Sequence, residues 1–505
     1  MLRHALIPLI LGCALATACG GGGGGIPPLE GPPEVVSVNP TGGVGLPGQT
    51  AQFAAVTSGT VTSYAWQFTG NVAPLSSSEM KPFLRLLRSG SGTGSLAVSG
   101  PNGTSAPFPF DFSILEPHKP SWQAADAGLE TGQLRAGVFG DRIVIAYLEK
   151  TTPGAFAPIH VALSAVSHPT QPSDWQNYQL QAQSRGLTFR SRMVSVGGRP
   201  AFLFSNYTPP QLELALGSVP IPQTEGDWEI CSPPNPLGGA NPLGSGQFEH
   251  LIQTSTGLPG LIANLPYGTA GLEKVSYVYG TAEPVTDPAN WKWVVLDTPF
   301  GEVSSSCQAA ELDGGISIVH PVTNTNPVFR WEHADTLTPT ASSEFRVIMD
   351  GPTPFGSLDQ MTFGSFVDLG DRAALLYSIS GANTNRTDFR MAVRPYPLVH
   401  PGDEEFTYAS YPAESNLDAG ELGIPWGGRI LGRSTINGTL TLFRAVVPSP
   451  SDPADFQFQT VLANRDLTDA TDLLQLGNGT VAVVVGTRSD VDVLPLQIWY
   501  ADGPW

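Results

Sequence analysis

Side chains that could perform chemistry occur in this sequence, but their spacing matches no complete catalytic motif. None of the eight histidines lies in an HExxH segment or in a paired metal-binding spacing. Ser78 and Lys81 form an SxxK pair, but the SDN and KTG segments that should accompany it are absent, and no serine lies in a GxSxG elbow. The sequence therefore predicts no catalytic residue, no metal site and no cofactor.

Two acidic segments near the C-terminus could offer oxygen ligands to calcium. The first, "DLTDATD", contains Asp466, Asp469 and Asp472, and the second, "DVDV", contains Asp490 and Asp492. Neither segment has the glycine and the bidentate glutamate of an EF-hand loop. We therefore interpret these residues as solvated loop acids.

An acid or an asparagine directly precedes an aromatic residue at intervals along the chain. The aromatic members are Trp175, Trp228, Trp291, Phe345, Phe406 and Phe456. The pairs resemble the Asp-box of sialidase-like propellers, Ser-x-Asp-x-Gly-x-x-Trp, but here no glycine separates the acid from the tryptophan. We therefore expect a structural role, in which the acid caps a turn and the aromatic ring packs between neighbouring sheets.

These aromatic residues mark a repeat. Counted from a similar residue upstream, Trp122, successive aromatics lie 53, 53, 63, 54, 61 and 50 residues apart by subtraction of their positions. Within each interval an apolar strand such as "RIVIAYLE" is followed by an alternating strand such as "IHVALSAV". Four short strands in about fifty-five residues are typical of a β-propeller blade, so the sequence predicts a seven-bladed propeller over residues 117–505.

The last repeat stops early, after "LQIWYADGPW", and lacks a fourth strand. The segment around Trp122 has no blade of its own. We therefore expect it to pair with "LQIWYADG" and to complete the last blade, which would close the ring and remove its open edges. A count of six or eight blades is the alternative.

A propeller gathers its inner strands around an axis, where charged side chains could meet. The candidates on predicted inner strands are Arg135, Arg190, Arg192 and Glu311. Loops such as "CSPPNPLGGANPLGSGQF" would surround the same mouth. The sequence does not fix the direction of these side chains, so the ligand-binding residues stay unassigned.

Residues 34–116 form a separate predicted unit of short strands broken by Gly, Pro and Asn. "SYAWQF" places Tyr64, Trp66 and Phe68 on one face, and a hairpin is expected to turn at Asn102-Gly103. The order resembles a PKD or other immunoglobulin-like module, in which the tryptophan lies between two sheets. Gln67 stands where that family usually has Asp. The resemblance implies a β-sandwich. Together with the repeat, the sequence therefore predicts an all-β fold, with an N-terminal β-sandwich followed by the propeller.

The N-terminal sequence predicts an export signal. A short apolar run follows Arg3, and "LATAC" ends at Cys19. This segment resembles the lipobox of bacterial lipoproteins, which implies a signal peptide over 1–18, lipid attachment at Cys19 and a Gly/Pro-rich tether over 19–33. An ordinary secretory signal cut near Ala18 is the alternative. By resemblance to the sorting rule of enterobacterial lipoproteins, Gly20 after the cysteine implies the outer membrane or cell surface of a bacterial envelope.

Two cysteines remain outside the signal region, Cys231 and Cys307. The repeat places Cys231 on an outer strand and Cys307 on an inner strand two blades later. A disulfide needs Cα atoms within roughly 7 Å, so we expect two buried free thiols.

Composition limits the possible partners. The net charge is −19, which argues against nucleic acid, because a phosphate binder needs a basic surface. We predict a lipid-anchored protein with a non-enzymatic binding or scaffold role, whose partners are the membrane and a glycan or protein ligand. The alternatives are a glycan-acting hydrolase or lyase with its site on the axial face, and a purely structural envelope lipoprotein.

Overall fold

The computed structural model describes most of the chain from residue 31 to residue 501. The described residues are 31–45, 49–87, 89–115, 121–149, 158–180, 188–189, 191–207, 210–234, 250–267, 272–296, 300–301, 307–321, 329–350, 360–380, 387–398, 407–410, 422–426, 429–436, 439–447, 450, 455–462, 471–477, 479–486 and 495–501. The chain folds into two compact units. The first takes in residues up to Val44 with Ala51–Leu84 and Ser91–Ser113, and the second takes in Gly45–Thr50, Arg85–Gly90 and Ile114–Trp505.

The first unit is built of short antiparallel strands. They are β1 (Glu34–Asn39), β2 (Gly42–Gly45), β3 (Thr50–Gln52), β4 (Ala54–Ser58), β5 (Ser63–Phe68), β6 (Val72–Ala73), β7 (Ser76–Ser77), β8 (Phe83–Leu86), β9 (Gly90–Gly100), β10 (Gly103–Thr104) and β11 (Phe108–Ile114). The sheet orders are β1-β4, β3-β8-β6 and β2-β11-β9-β5-β7, with β10 paired to β9.

Aromatic side chains form the core of this β-sandwich. Trp66 is fully buried, and its Nε1 donates to the carbonyl of Glu79 at 2.8 Å. Phe53 meets Phe68 with ring centroids 5.4 Å apart, and Phe110 packs edge-on against Trp66. The predicted burial of Trp66 is therefore confirmed. The turn at Asn102-Gly103 is confirmed too, since β10 folds back on β9 there. Membership of the PKD family stays a prediction.

The second unit is a β-propeller made of four-stranded antiparallel sheets. Its strands are β12 (Trp122–Phe139), β13 (Arg142–Glu149), β14 (Ile159–Ser164), β15 (Trp175–Leu180), β16 (Thr188–Phe189), β17 (Val194–Val196), β18 (Arg199–Tyr207), β19 (Pro210–Gly217), β20 (Trp228–Cys231), β21 (His250–Ile252), β22 (Gly260–Tyr267), β23 (Leu272–Gly280), β24 (Trp291–Val295), β25 (Phe300–Gly301), β26 (Gln308–Leu312), β27 (Gly315–Pro321), β28 (Phe329–Ala334), β29 (Arg346–Asp350), β30 (Gln360–Asp368), β31 (Arg372–Ser380), β32 (Thr387–Pro395), β33 (Thr407–Ser410), β34 (Leu422–Trp426), β35 (Arg429–Ile436), β36 (Thr439–Ala445), β37 (Phe456–Leu462), β38 (Thr471–Gln475), β39 (Val481–Val485) and β40 (Pro495–Ala501).

Consecutive strands pair in the order in which the chain makes them. The sheet orders include β21-β22-β23-β24, β26-β27-β28-β29, β30-β31-β32-β33 and β34-β35-β36-β37, and in the sheet β18-β19-β20 both β16 and β17 pair with β18. The second strands are buried on both faces, as their apolar sequences predict: every residue of β39 is buried. The all-β sandwich-and-propeller fold is therefore confirmed, and the number of seven blades stays a prediction.

The ring closes through β12, which serves two blades. Trp122–Asp126 pair with β40, with Trp122 opposite Ala501, whereas Leu134–Phe139 pair with β13. Between the two halves Gly128 has φ +69, and its N–H donates to Asp126 Oδ1 at 2.7 Å. A left-handed glycine there lets one continuous strand leave the last blade and enter the first. The predicted closure at Trp122 is confirmed.

The two cysteines lie apart, as the repeat predicts. Cys231 ends the outer strand β20, and Cys307 directly precedes the inner strand β26. Both are free thiols. Cys307 is buried as expected, but Cys231 is half-buried rather than buried.

Candidate functional site

The inner strands of the propeller enclose a channel of about 710 Å³. Small residues such as Ala136, Gly137 and Ala310 form part of its wall and leave the space open. Neighbouring inner strands run parallel, since Val196 and Thr254 form a parallel bridge. The beginnings of the inner strands therefore meet at one end of the channel, and their ends meet at the other. A volume of this size suits a small ligand.

Charged side chains cluster where the inner strands begin. Asp472 on β38 is 4% exposed, and its Oδ2 accepts a hydrogen bond from the N–H of Ala136 at 2.7 Å. Arg135, Arg192 and Arg433 all lie within electrostatic range of this carboxylate. We call these three arginines with Asp472 the arginine cluster. It joins the first, second, sixth and last repeats of the chain at one place.

Arg135 is held in position by its surroundings. Its Nε donates to the carbonyl of Ser191 at 2.7 Å, and its Nη1 donates to the carbonyl of Leu134 at 2.7 Å. The guanidinium also lies 5.8 Å from the ring centroid of Phe189, which adds a cation–π contact. These contacts fix the charge of Arg135 beside the segment that carries Arg192.

Burial and neighbouring charges shift the pKa values at this end of the channel. Burial raises the pKa of Asp472, although Arg135 and Arg433 oppose that shift. Burial, together with the repulsion from Arg433 and Arg135, lowers the pKa of Arg192 to about 10, so Arg192 is protonated at pH 7. Burial and Arg192 lower the pKa of His250 to about 3, so its imidazole is neutral there. The positive charge of this end comes from the arginines.

The opposite end of the channel is acidic. Glu311 accepts hydrogen bonds from Ser255, at 2.6 Å from its N–H and 2.5 Å from its hydroxyl. Asp313 and Asp368 lie in or before the turns that end two inner strands, and both line the channel. Asp313 accepts from the N–H of Leu398 at 2.9 Å. The channel is thus electrically polar, with arginines at one end and carboxylates at the other.

The sequence predicts part of this site. Arg192 and Glu311 line the channel, and Arg135 lies beside it in the arginine cluster. Arg190 lies outside the described residues. Asp472 corrects an expectation: it is a buried strand residue rather than a solvated loop acid, because β38 begins at Thr471. Asp466, Asp469, Asp490 and Asp492 lie outside the described residues.

Two further residues of the site have weak sequence signals. Arg433 interrupts the apolar pattern of "RILGRSTI", and a charge inside a strand of this kind is a sign of a buried polar site. His250 has no distinguishing neighbour in the sequence. Only the fold brings these positions, which are far apart in the chain, to one end of the channel.

A Ser-His-Asp series in the fourth repeat has contacts like those of a catalytic triad, but its serine is not accessible to a substrate. Ser317 Oγ lies 2.9 Å from His333 Nδ1, and His333 Nε2 lies 3.5 Å from Asp335 Oδ1. Ser317 and His333 both have no exposed surface. A nucleophilic serine must reach its substrate, so we assign this series a structural role.

The acid-aromatic pairs at Trp175, Trp228, Trp291 and Phe345 have the turn geometry that the sequence predicts, whereas Phe406 lies outside the described residues. One-turn 3-10 helices at Pro172–Asp174, Glu225–Asp227, Pro288–Asn290 and Ser342–Glu344 precede the aromatic residue. Asp227 accepts from the N–H groups of Gln223 and Thr224, both at 2.9 Å. Trp228 then packs into the core between the first two blades, and its Nε1 donates to Tyr178 Oη at 2.9 Å.

Neither a protein-family model nor a curated protein matches the sequence. Solved structures with a similar fold include the β-propeller domain of the Trilobed protease from Pyrococcus furiosus, with 8% identity, a TM-score of 0.41 and coverage of 74% of this chain and 94% of that one. An acylaminoacyl peptidase from Pyrococcus horikoshii has 6% identity and a TM-score of 0.42, covering 75% of this chain but only 53% of the peptidase. The GH93 α-L-arabinofuranosidase of Fusarium graminearum has 8% identity and a TM-score of 0.37, with coverage of 74% and 96%.

Each of these similarities has a TM-score below 0.5 and a sequence identity of 8% or less. Within the described ranges, no group of His, Cys, Asp and Glu side chains is arranged to hold a metal ion. No helix among the described residues is long and apolar enough to cross a membrane. Cys19 lies outside the described residues.

Proposed function

We propose that this protein is an extracytoplasmic binding protein whose ligand site is the propeller channel. The observation that carries the proposal is the arginine cluster at one end of an open channel of about 710 Å³. Among the described residues, three arginines act electrostatically on the Asp472 carboxylate there, and His250 is neutral at pH 7. A cluster of this kind supplies fixed positive charge and hydrogen-bond donors, which suit recognition.

The place of the protein in the cell is part of the same proposal. Lipid attachment at Cys19 and a flexible tether over 19–33 would hold the propeller at the bacterial envelope, on the outer membrane or cell surface. The partners would then be the membrane, through the lipid, and a ligand from outside the cell. The charge of −19 argues against nucleic acid as a partner.

One observation favours a second function. A buried carboxyl with a raised pKa, such as that of Asp472, is a group that glycoside hydrolases use as a general acid. In that case the propeller would be a glycan-acting hydrolase or lyase. The carboxyl of Asp472 accepts from a backbone N–H, however, and the neighbouring arginines favour its ionised form, which a general acid must avoid.

The two functions differ in one measurement. Wild-type protein and the Asp472→Asn variant are incubated with a panel of neutral and acidic polysaccharides, and new reducing ends are measured. We expect no release from either protein, and Asp472→Asn should keep the fold because its amide oxygen can still accept from Ala136. Turnover by the wild type that is lost in Asp472→Asn would establish the hydrolase instead.

A further inference from the structure

Three arginines of the arginine cluster act electrostatically on one carboxylate, that of Asp472. Arg135, Arg192 and Arg433 face one aspartate, Asp472, in a protein whose net charge is −19. No ion pair within the described ranges joins Asp472 to an arginine, and its one protein donor there is the N–H of Ala136. A cation in a confined, poorly solvated place is costly because it loses hydration, and Arg192 is such a cation in the wall of the channel. An anion bound to Arg192 would offset that cost.

Arg192 is the member best placed to meet a ligand. It lines the channel, and among the described residues none accepts a hydrogen bond from its guanidinium. Arg135, by contrast, uses two of its N–H groups on the carbonyls of Ser191 and Leu134. A guanidinium has five N–H donors in a planar fork that matches the two oxygens of a carboxylate. An oxygen acceptor that enters by the channel could therefore bind the guanidinium of Arg192.

We propose that the arginine cluster binds the carboxylate group of a small acidic ligand, with Arg192 as its direct partner. This inference rests on the proposed binding function and names the chemistry of its ligand. The ligand would be a free organic acid or the acidic sugar of a longer chain, since both present the same carboxylate to Arg192.

The other charges of the channel favour a single negative charge over a multiple one. Asp472 lies inside the cluster and repels an incoming anion. Glu311, Asp313 and Asp368 at the opposite end repel any second acidic group that the ligand carries further along the channel. A monoanionic carboxylate attached to a neutral body therefore fits better than a phosphate or a polyanion.

The test uses the intact protein and a pair of probes that differ in one group. Glucuronate carries a carboxylate where glucose carries a hydroxymethyl group, so calorimetric titration of the two isolates the contribution of the carboxylate. Acetate, sulfate and inorganic phosphate complete the panel, in a buffer without carboxylates at low ionic strength. We expect glucuronate to bind at least about tenfold more tightly than glucose, and the difference to shrink in high salt.

Three variants test how the charges of Arg192 and Asp472 affect the affinity for glucuronate. Arg192→Gln should weaken glucuronate binding by about 10- to 100-fold, which is the range for a lost hydrogen bond to a charged group. Arg192→Lys keeps the charge without the planar fork and should lose less. Asp472→Asn should bind glucuronate more tightly, by a few-fold to about tenfold, because it removes a repelling charge. A merely structural role for Asp472 would not produce a gain.

A matched control is Arg142→Gln, which removes an arginine outside the channel that contacts its neighbour Asp141. It should leave the affinity unchanged.

An oligomer of glucuronate that binds more tightly than the monomer would assign the ligand to a longer chain, and equal affinity would assign it to a free acid.

Several results would overturn the inference. Equal binding of glucose and glucuronate, no binding of any carboxylate in the panel, tighter binding of sulfate or phosphate, or an Arg192→Gln variant with unchanged affinity would each do so. Binding of glucose by wild type and Arg192→Gln alike would still leave the proposed binding function in place. Glycan turnover that disappears in Asp472→Asn would overturn that function itself.

Discussion

Two neighbouring alanines on β12 allow a direct test of how the propeller closes. Ala125 lies opposite Ile498 of β40, is 8% exposed and belongs to the apolar cluster that contains Ile498 and Tyr500. Ala124 lies opposite Trp499, and its side chain points to the exposed face of the same strand. The same change, alanine to glutamate, can therefore be made one residue apart on opposite faces of the closing strand.

The two variants should differ greatly in stability. At Ala125 a glutamate must bury its carboxylate in an apolar cluster, which costs several kcal/mol whether the group stays charged or takes up a proton. The added volume in a packed core costs roughly another 1–3 kcal/mol. We therefore expect Ala125→Glu to lower the free energy of unfolding by about 4 kcal/mol or more. Ala124→Glu should stay within about 0.5 kcal/mol of the wild type, as exposed substitutions usually do.

The assay is chemical denaturation of both variants and the wild type, followed by tryptophan fluorescence, with light scattering as a second readout. Ala125→Glu should also scatter light, because release of β12 leaves β40 as an unpaired apolar edge that can join another molecule. Equal unfolding midpoints for Ala124→Glu and Ala125→Glu would refute this pairing of β12 with β40, and with it the closure of the ring.

Two other predictions concern buried and lipid-bearing residues. His333 is fully buried, and burial together with the nearby Arg346 lowers its pKa to about 4, from 6.5 in the unfolded chain. Between these two pH values the unfolded state therefore binds more protons than the folded state. The free energy of unfolding should fall by roughly 1.4 kcal/mol per pH unit as the pH drops from about 6.5 to about 4.5. His333→Gln should show a shallower loss in denaturant titrations over that interval, and an unchanged slope would contradict the assignment. Cys19→Ala should abolish the recovery of the protein in the membrane fraction and the incorporation of a labelled fatty acid; an unacylated mature N-terminus in the wild type would contradict the lipid anchor.

The strands of the propeller are predictable from sequence because the strands of one blade are consecutive in the chain. A second strand such as β39, with five consecutive buried residues, needs apolar side chains on both faces, and that requirement is visible in a short window of the sequence. The closure is predictable for a related reason: strands come in fours, so a last repeat with three strands and an unassigned strand at Trp122 must complement each other. Both predictions depend on periodicity alone.

The charges of the channel cannot be predicted from the periodicity of the sequence. Arg135, Arg192, Arg433 and Asp472 lie on different repeats, and the sequence around any one of them does not point to the other three. Since inner strands run parallel around the axis, the position of a residue along its own strand decides which end of the channel it reaches. Asp472 is the second residue of β38 and joins the arginines, whereas Asp368 is the last residue of β30 and faces the acidic end. The same residue type thus serves opposite ends of the channel according to a shift of a few positions within a strand.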